Sequence, residues 1–440
     1  MGKFTPQIQE NNSSAGFFFL ALYTAAVFIR PQEWSQSGFE FPIMRVFLII
    51  SFVLYLVSQK PKIWGPQGWC LIGLVGVIIL SGLRNGWLSG GFISANDFFI
   101  ASIIPFLLFS SLVYDKAKIK QVFIIILFST FFMLHHGYSQ VSSPIGMGWS
   151  GLTLSQGTRI TYLGFFNDPN DLGMFFVMSI PLAFFFYGSS KKFIVKALSL
   201  LLVSLLIWGI YKTNSRGTLL GGLSLFGLYA LFKYGKFKAG ALILLCIPLL
   251  MLVMSQFREI DSNEESADQR IEAWYTAVVL FKTHPFVGVM KGNFTEYHHL
   301  TAHNSYALVM AELGSIGYIF WFSFLVITLL KLYKIAQGGM TISPNKQELW
   351  QQEGPEYLAL AKTRLFSLTG FAVTAFFLSR SYVIVLFVFI GMATALISLI
   401  ERHFIEKDEI KKLNKSIIKQ SAVLSMVSLV GLYFVVRVLM

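Results

Sequence analysis

The sequence predicts an all-α integral membrane protein of about 12–13 transmembrane helices, and three observations lead there. Of 440 residues, 55% are hydrophobic and only 13% are charged, whereas a soluble domain carries about 25% Asp, Glu, Lys and Arg. Roughly a dozen apolar runs approach the ~20 residues that a helix needs to cross the hydrocarbon core. Lys and Arg fall in alternate connections between those runs. This composition excludes an ordinary soluble enzyme.

Taken in order, the expected spans lie near 16–30, 42–58, 68–83, 92–114, 121–136, 171–188, 193–211, 217–232, 239–256, 305–330, 364–379, 381–400 and 420–438. The last follows a charged linker, which leaves the count at 12 or 13. The expected organisation is an N-terminal transmembrane bundle over 1–256, a large outer loop over 257–304 and C-terminal spans over 305–440. No cleavable signal is expected, because the first 14 residues are polar and no small-residue cleavage site follows the first apolar run. Cys70 and Cys246 both sit in apolar runs and give neither a disulfide framework nor a metal site.

The net charge of +13 suggests nucleic acid in a soluble chain, but its distribution argues otherwise. With the N-terminus cytoplasmic, 23 of the 35 basic residues fall in cytoplasmic connections, including Lys116, Lys118, Lys120, Lys191, Lys192, Lys331, Lys362 and Arg364. That is the positive-inside pattern. No nucleic-acid partner is expected. The two longest connections, 137–170 and 257–304, then face outward. So do six of the seven histidines, which points to proton-transfer chemistry on that side.

In the large loop, Ser266 and Gln269 match a capping box, and Ile271, Trp274, Tyr275, Val278 and Val279 recur at helical spacing. An amphipathic helix near 267–283 follows, ended by Pro285. Arg270 sits in its first turn, where the helix dipole disfavours a cation. It therefore has another partner: an ion pair with Glu265, Asp268 or Glu272, or a ligand. His303 closes the loop at the mouth of the next span. His299 and His303, four apart, match zinc spacing on a helix, but no HExxH motif or thiolate ligand accompanies them, and no metal is expected.

Four further features stand out. Arg216 lies in the turn Thr213-Asn214-Ser215-Arg216-Gly217 between two spans, where an arginine often only snorkels. Asn167-Asp168-Pro169-Asn170-Asp171 opens a span with good capping residues. Glu312 lies about two turns inside its span, where a carboxylate is costly and is by default paired or functional. Arg84 ends another span, on the outer side.

Taken in order, Phe165-Phe166-Asn167-Asp168-Pro169-Asn170-Asp171-Leu172-Gly173, Ser215-Arg216-Gly217, Arg270-Ile271-Glu272-Ala273-Trp274, His284-Pro285-Phe286-Val287-Gly288, Ala302-His303-Asn304 and Glu312-Leu313-Gly314 resemble the O-antigen ligase and polymerase superfamily over about residues 160–325. Arg30-Pro31-Gln32-Glu33 resembles its branch associated with exopolysaccharide and exosortase gene sets. The resemblance implies a multispanning C-type glycosyltransferase in the bacterial inner membrane. It would move a glycan from an undecaprenyl-diphosphate carrier to an acceptor hydroxyl, on lipid A-core or another glycan or a protein, at the periplasmic face. It implies that Arg216 and Arg270 engage the diphosphate, that His303 assists the acceptor and that no cofactor is needed. Arg84, Arg159, Asn304 and Glu312 join them as expected substrate-binding residues. A polymerase or protein O-oligosaccharyltransferase of the same superfamily is the alternative, and a transporter, with intramembrane charges lining a path, the more distant one.

Overall fold

A computed structural model describes residues 6–34, 42–58, 61–259 and 267–439. Among the described residues fourteen α-helices follow one another: α1 (Pro6–Ile29), α2 (Ile43–Val57), α3 (Gly65–Arg84), α4 (Leu88–Phe98), α5 (Ile104–Leu112), α6 (Lys116–Ser142), α7 (Pro169–Ser189), α8 (Phe193–Thr213), α9 (Arg216–Glu259), α10 (Ala267–Thr283), α11 (Ser305–Ala336), α12 (Gln347–Thr374), α13 (Ile384–Phe404) and α14 (Lys407–Leu439). Among the described residues, nine helical segments are long and apolar enough to cross a membrane, and Ile43–Val57 is a shorter apolar helix. The other expected spans, 217–232, 239–256 and 364–379, fall on α9 and α12. Among the described residues the β-type pairing consists of two isolated bridges, Met147 with Thr153 and Ser155 with Arg159.

Several boundaries differ from expectation for local reasons. The 92–114 run is broken by a π-turn at Phe99–Ile103 ahead of Pro105, because proline removes a ladder hydrogen bond. Within α9 the backbone at Gly235 is non-helical (φ 77°, ψ 174°), so the expected spans 217–232 and 239–256 are two helices that meet at a kink there. Helix α6 continues to Ser142, so the first outer connection begins later than residue 137.

The chain divides into two compact units. The first comprises Met1–Met133, Ser315–Leu365 and Tyr382–Leu429. At its centre is α13, buried along almost its whole length. Gly391 lets it close on Phe106 and Phe109 of α5, since a Cβ there would meet the Phe106 carbonyl at 3.0 Å. Lysines expected at the cytoplasmic face are paired: Lys116 with Glu353 and Glu356 (both 3.0 Å), Lys120 with Glu356 (2.9 Å), and the buried Lys331 with Glu401 (2.6 Å). Arg364 departs from its expected loop position. It lies within α12, fully buried, its guanidinium 4.0 Å from the Phe123 ring centre, and Nη2 donates to Met392 Sδ at 2.8 Å. Arg84 ends α3 in this unit, exposed to the surroundings.

The second unit comprises Leu134–Gly314, Phe366–Ser381 and Val430–Met440. Helices α7 and α8 pack as a hairpin, with Gly209 of α8 against Phe176 of α7. The connection after α6 is anchored by His136, which is fully buried. Its Nδ1 is 2.9 Å from the Thr161 carbonyl and its Nε2 2.7 Å from the Ser150 hydroxyl. A carbonyl only accepts, so the ring carries its proton on Nδ1 and Nε2 accepts from Ser150. This histidine is architectural, which weakens the argument drawn from histidine sidedness.

Candidate functional site

The six ordered motif segments between Phe165 and Gly314 all belong to the second unit. Asp168 caps α7, its Oδ1 accepting the Asn170 N–H at 2.8 Å. Capping explains only that residue. The Asn170 side-chain oxygen accepts from Arg159 Nη2 at 2.9 Å, and Arg159 Nε donates to the Thr213 carbonyl at 2.9 Å. Arg159 is 4% exposed; it ties the start of α7 to the end of α8, and Ile160 N–H donates to the Lys212 carbonyl beside it at 3.1 Å.

One residue separates that anchored end from the candidate arginine turn. Asn214 takes the left-handed conformation (φ 48°, ψ 41°) and stops α8, a geometry asparagine tolerates. Ser215 then caps α9, its hydroxyl accepting the Thr218 N–H at 3.2 Å. Arg216 is therefore the first residue of α9, half-buried, with no hydrogen-bond or ion-pair partner among the described residues.

Helix α10 covers the span its periodicity predicts. Ala273, Ala277, Val278 and Leu280 are buried, whereas Tyr275 of the expected stripe is 44% exposed. Small residues let the helix approach closely, and the large rings are displaced to its flank. Trp274 reaches across and donates its indole N–H to the Ala302 carbonyl at 2.9 Å. Arg270 is half-buried, one turn earlier, and makes no ion pair with Glu272; Glu265, Ser266 and the Asp268 side chain lie outside the described residues.

His303, next to Ala302, has φ 47°. A non-glycine residue in the left-handed region is uncommon, and such strain gathers at functional sites. Asn304 follows, fully buried. Its Oδ1 caps α11 by accepting from Tyr306 N (2.9 Å) and Ala307 N (3.1 Å), while Nδ2 has no hydrogen-bond partner among the described residues.

The His-Pro-Phe-Val-Gly and Glu-Leu-Gly motifs are one structural device. Gly288 (φ 69°) lies so close to α11 that a Cβ would collide with the Glu312 backbone, and a Cβ on Gly314 (φ 62°) would fall 2.5 Å from Phe286. Val289 and Met290 donate to the Ala311 and Glu312 carbonyls at 3.1 and 2.9 Å. The Glu312 carboxylate accepts the Gly292 N–H at 2.9 Å and is 3% exposed. The loop after α10 is thus laced onto the α11 kink.

Sequence reasoning missed the segment that gathers these pieces, residues 374–381. The Phe376 ring packs on Trp274 (centroids 5.5 Å) and Tyr306 (6.2 Å), and Phe377 Cβ lies where a Cβ on Gly217 would come within 2.7 Å. Arg216 neighbours Gly217, Arg270 precedes Trp274 by one turn, and His303 precedes Tyr306 by three residues. The segments bearing all three expected catalytic residues therefore converge on one phenylalanine pair. Arg380 also went unassigned in the sequence. Its Nε lies 2.6 and 2.7 Å from the two Asp171 oxygens and its Nη2 2.5 Å from Oδ2. Burial works against its charge, but the Asp171 carboxylate outweighs it and holds the guanidinium above its usual pKa. Asp171 belongs to the helix-start string 167–171, but nothing local points to a partner 209 positions away.

No curated protein matches the chain. Residues 198–322 match the family model described as O-antigen ligase. That stretch supplies Arg216, Arg270, His303, Asn304 and Glu312, so the resemblance drawn from the ordered motifs is supported by the family's own sequence pattern. In this all-helical membrane protein, the stretch 198–322 is therefore similar to the O-antigen ligase family, and the match supports that superfamily.

Proposed function

We propose that the protein transfers a glycan from an undecaprenyl-diphosphate carrier to an acceptor hydroxyl at the periplasmic face of the bacterial inner membrane, without a metal. The family match supports ligase-like glycan transfer in general. The observation carrying the finer reading is the convergence of the Arg216, Arg270 and His303 segments on Phe376-Phe377. As the glycosidic bond breaks, negative charge grows on the diphosphate. Two guanidinium groups without carboxylate partners among the described residues suit that charge through bidentate hydrogen bonds. The imidazole of His303, on the third of the converging segments, can take the acceptor hydroxyl's proton, a contribution typically of about 100- to 10,000-fold.

The expected substrate-binding residues divide by geometry. Asn304 Nδ2, buried and without a hydrogen-bond partner among the described residues, supports a donor role toward a ligand oxygen. Arg159 and Glu312 bond the protein backbone and serve as braces of the arginine turn and the outer loop. Arg84, exposed at the end of α3, remains a candidate for the lipid carrier's headgroup.

The test is transfer by the full chain in proteoliposomes holding a polyprenyl-diphosphate-linked glycan. Arg216→Ala, Arg270→Ala and His303→Ala should each abolish transfer while leaving membrane insertion intact. Full activity in any one removes that residue's role. Gene deletion then separates the acceptors. Accumulated long lipid-linked chains mean a ligase, shortened chains a polymerase, and loss of glycan from proteins an O-oligosaccharyltransferase; unchanged glycans favour a transporter.

A further inference from the structure

We propose that Arg380 is a positioning residue for glycan transfer: clamped by Asp171, it fixes the 378–381 segment, and through Ser305 that segment sets where the His303 imidazole meets the acceptor hydroxyl. The inference rests on the function proposed above and adds to it a residue outside the family-matched stretch.

The chain of contacts is short and almost wholly buried. Asp171, Ser305 and Ser381 are each 0% exposed. The Arg380 backbone N–H donates to Ser305 Oγ at 2.8 Å, Ser305 Oγ donates to the Leu378 carbonyl at 2.5 Å, and Ser381 Oγ donates to the Ser305 carbonyl at 2.9 Å. Ser305 is thus bonded through its hydroxyl and its carbonyl to the Arg380 segment, two residues after His303. The other end of the segment is held by the Arg380 guanidinium on the first turn of α7.

That geometry separates Arg380 from Arg216 and Arg270. Its guanidinium charge is matched by a carboxylate that holds it at two nitrogens, so it has little left for a diphosphate. A fork held on both oxygens fixes orientation as well as distance, which a lysine ammonium cannot do. Since His303 already sits in a strained backbone conformation, release of the next two residues lets it relax away from the geometry that proton transfer needs. A misplacement of about 1 Å can cost about 100-fold in rate.

The experiment compares the full chain with Arg380→Gln, Arg380→Lys, Asp171→Asn and the Arg380→Gln/Asp171→Asn pair in proteoliposomes. It measures kcat and KM with an undecaprenyl-diphosphate-linked glycan, and binding of undecaprenyl diphosphate alone. Ser305→Ala, which removes a single hydroxyl, is the variant to use if the others fail to fold. The expected result is a fall in kcat of at least about tenfold in each single variant. Donor KM and carrier binding stay within about twofold, and the double variant is no worse than the worse single one, as for residues acting as a unit. Weakened carrier binding with kcat retained overturns the proposal, because Arg380 then touches the donor. An unchanged kcat in Arg380→Gln and Ser305→Ala overturns it as well. Absence of transfer by the unmodified chain overturns the function reading and this inference with it, whereas the other two outcomes leave that reading standing.

Discussion

Replacing Trp274 with Phe isolates the bond that couples α10 to the histidine. The change removes one donor, the indole N–H held 2.9 Å from the Ala302 carbonyl, and keeps an aromatic ring for the edge-on contact with Phe376 at 5.5 Å. Ala302 is fully buried, so its carbonyl gains no water in exchange, and a buried group left unsatisfied costs about 1–3 kcal/mol. Trp274 is half-buried, so the smaller ring opens little cavity and the hydrogen bond dominates. SDS titration of the purified chain in mixed micelles should therefore show a loss of about 1–3 kcal/mol. Freed from α10, the 302–303 backbone can drift. If a comparable free energy is lost from the transition state, transfer falls about tenfold for each 1.36 kcal/mol. Trp274→Leu, which also removes the ring contact, should be worse on both measures. Wild-type stability together with wild-type transfer in Trp274→Phe would refute the coupling.

Three more outcomes follow from the same contacts. Arg159→Lys should destabilise the second unit by about 2–3 kcal/mol in the same titration, because an ammonium cannot bond the Thr213 carbonyl and Asn170 together as the guanidinium does. Gly288→Ala combines a left-handed backbone with a collision against Glu312, so a loss of about 2–5 kcal/mol, read as poor yield of monodisperse protein, is expected. Arg364→Met should be neutral or stabilising by up to about 3 kcal/mol, since a charge buried among Phe123, Phe389 and Met392 is costly inside a membrane. Destabilisation by Met would show that the guanidinium is more than a buried cation.

The legible part of the fold was local. Apolar runs announced the helices, Pro285 ended α10, and the Thr-Asn-Ser-Arg-Gly string announced a tight reversal that Asn214 and Ser215 carry out. The ordered motifs picked out the unit that holds the candidate site. What stayed hidden was pairing across distance. Nothing near Asp171 in the sequence says that Arg380 will neutralise it, and nothing in Ala-Phe-Phe says that its rings will sit on Trp274 and Tyr306. In α10, periodicity picked out the large apolar residues, while the helix buries Ala273 and Ala277 against its neighbours and leaves Tyr275 outside. His136 misled in the opposite way: residue type suggested chemistry, and two hydrogen bonds to its own connection account for it.

Glu312 shows how a family motif can combine architecture with chemistry, and how the two can be separated. A carboxylate inside a span invites a catalytic or substrate-binding role. Yet one of its oxygens accepts the Gly292 N–H at 2.9 Å, and its own carbonyl accepts Met290 N–H at 2.9 Å. Both bonds hold the loop that Gly288 and Gly314 allow to lie on α11. A glutamine keeps an oxygen able to accept from Gly292 and removes only the charge, whereas alanine removes the acceptor too. If the residue braces the loop, Glu312→Gln should retain transfer within a few-fold, and Glu312→Ala should lose about 1–3 kcal/mol of stability together with most of its activity. If instead the charge meets the substrate, Gln and Ala should be equally inactive while Gln remains as stable as the parent chain. Kinetics and SDS titration on the two variants decide between a brace and a ligand, and the bonds to Gly292 and Met290 favour the brace.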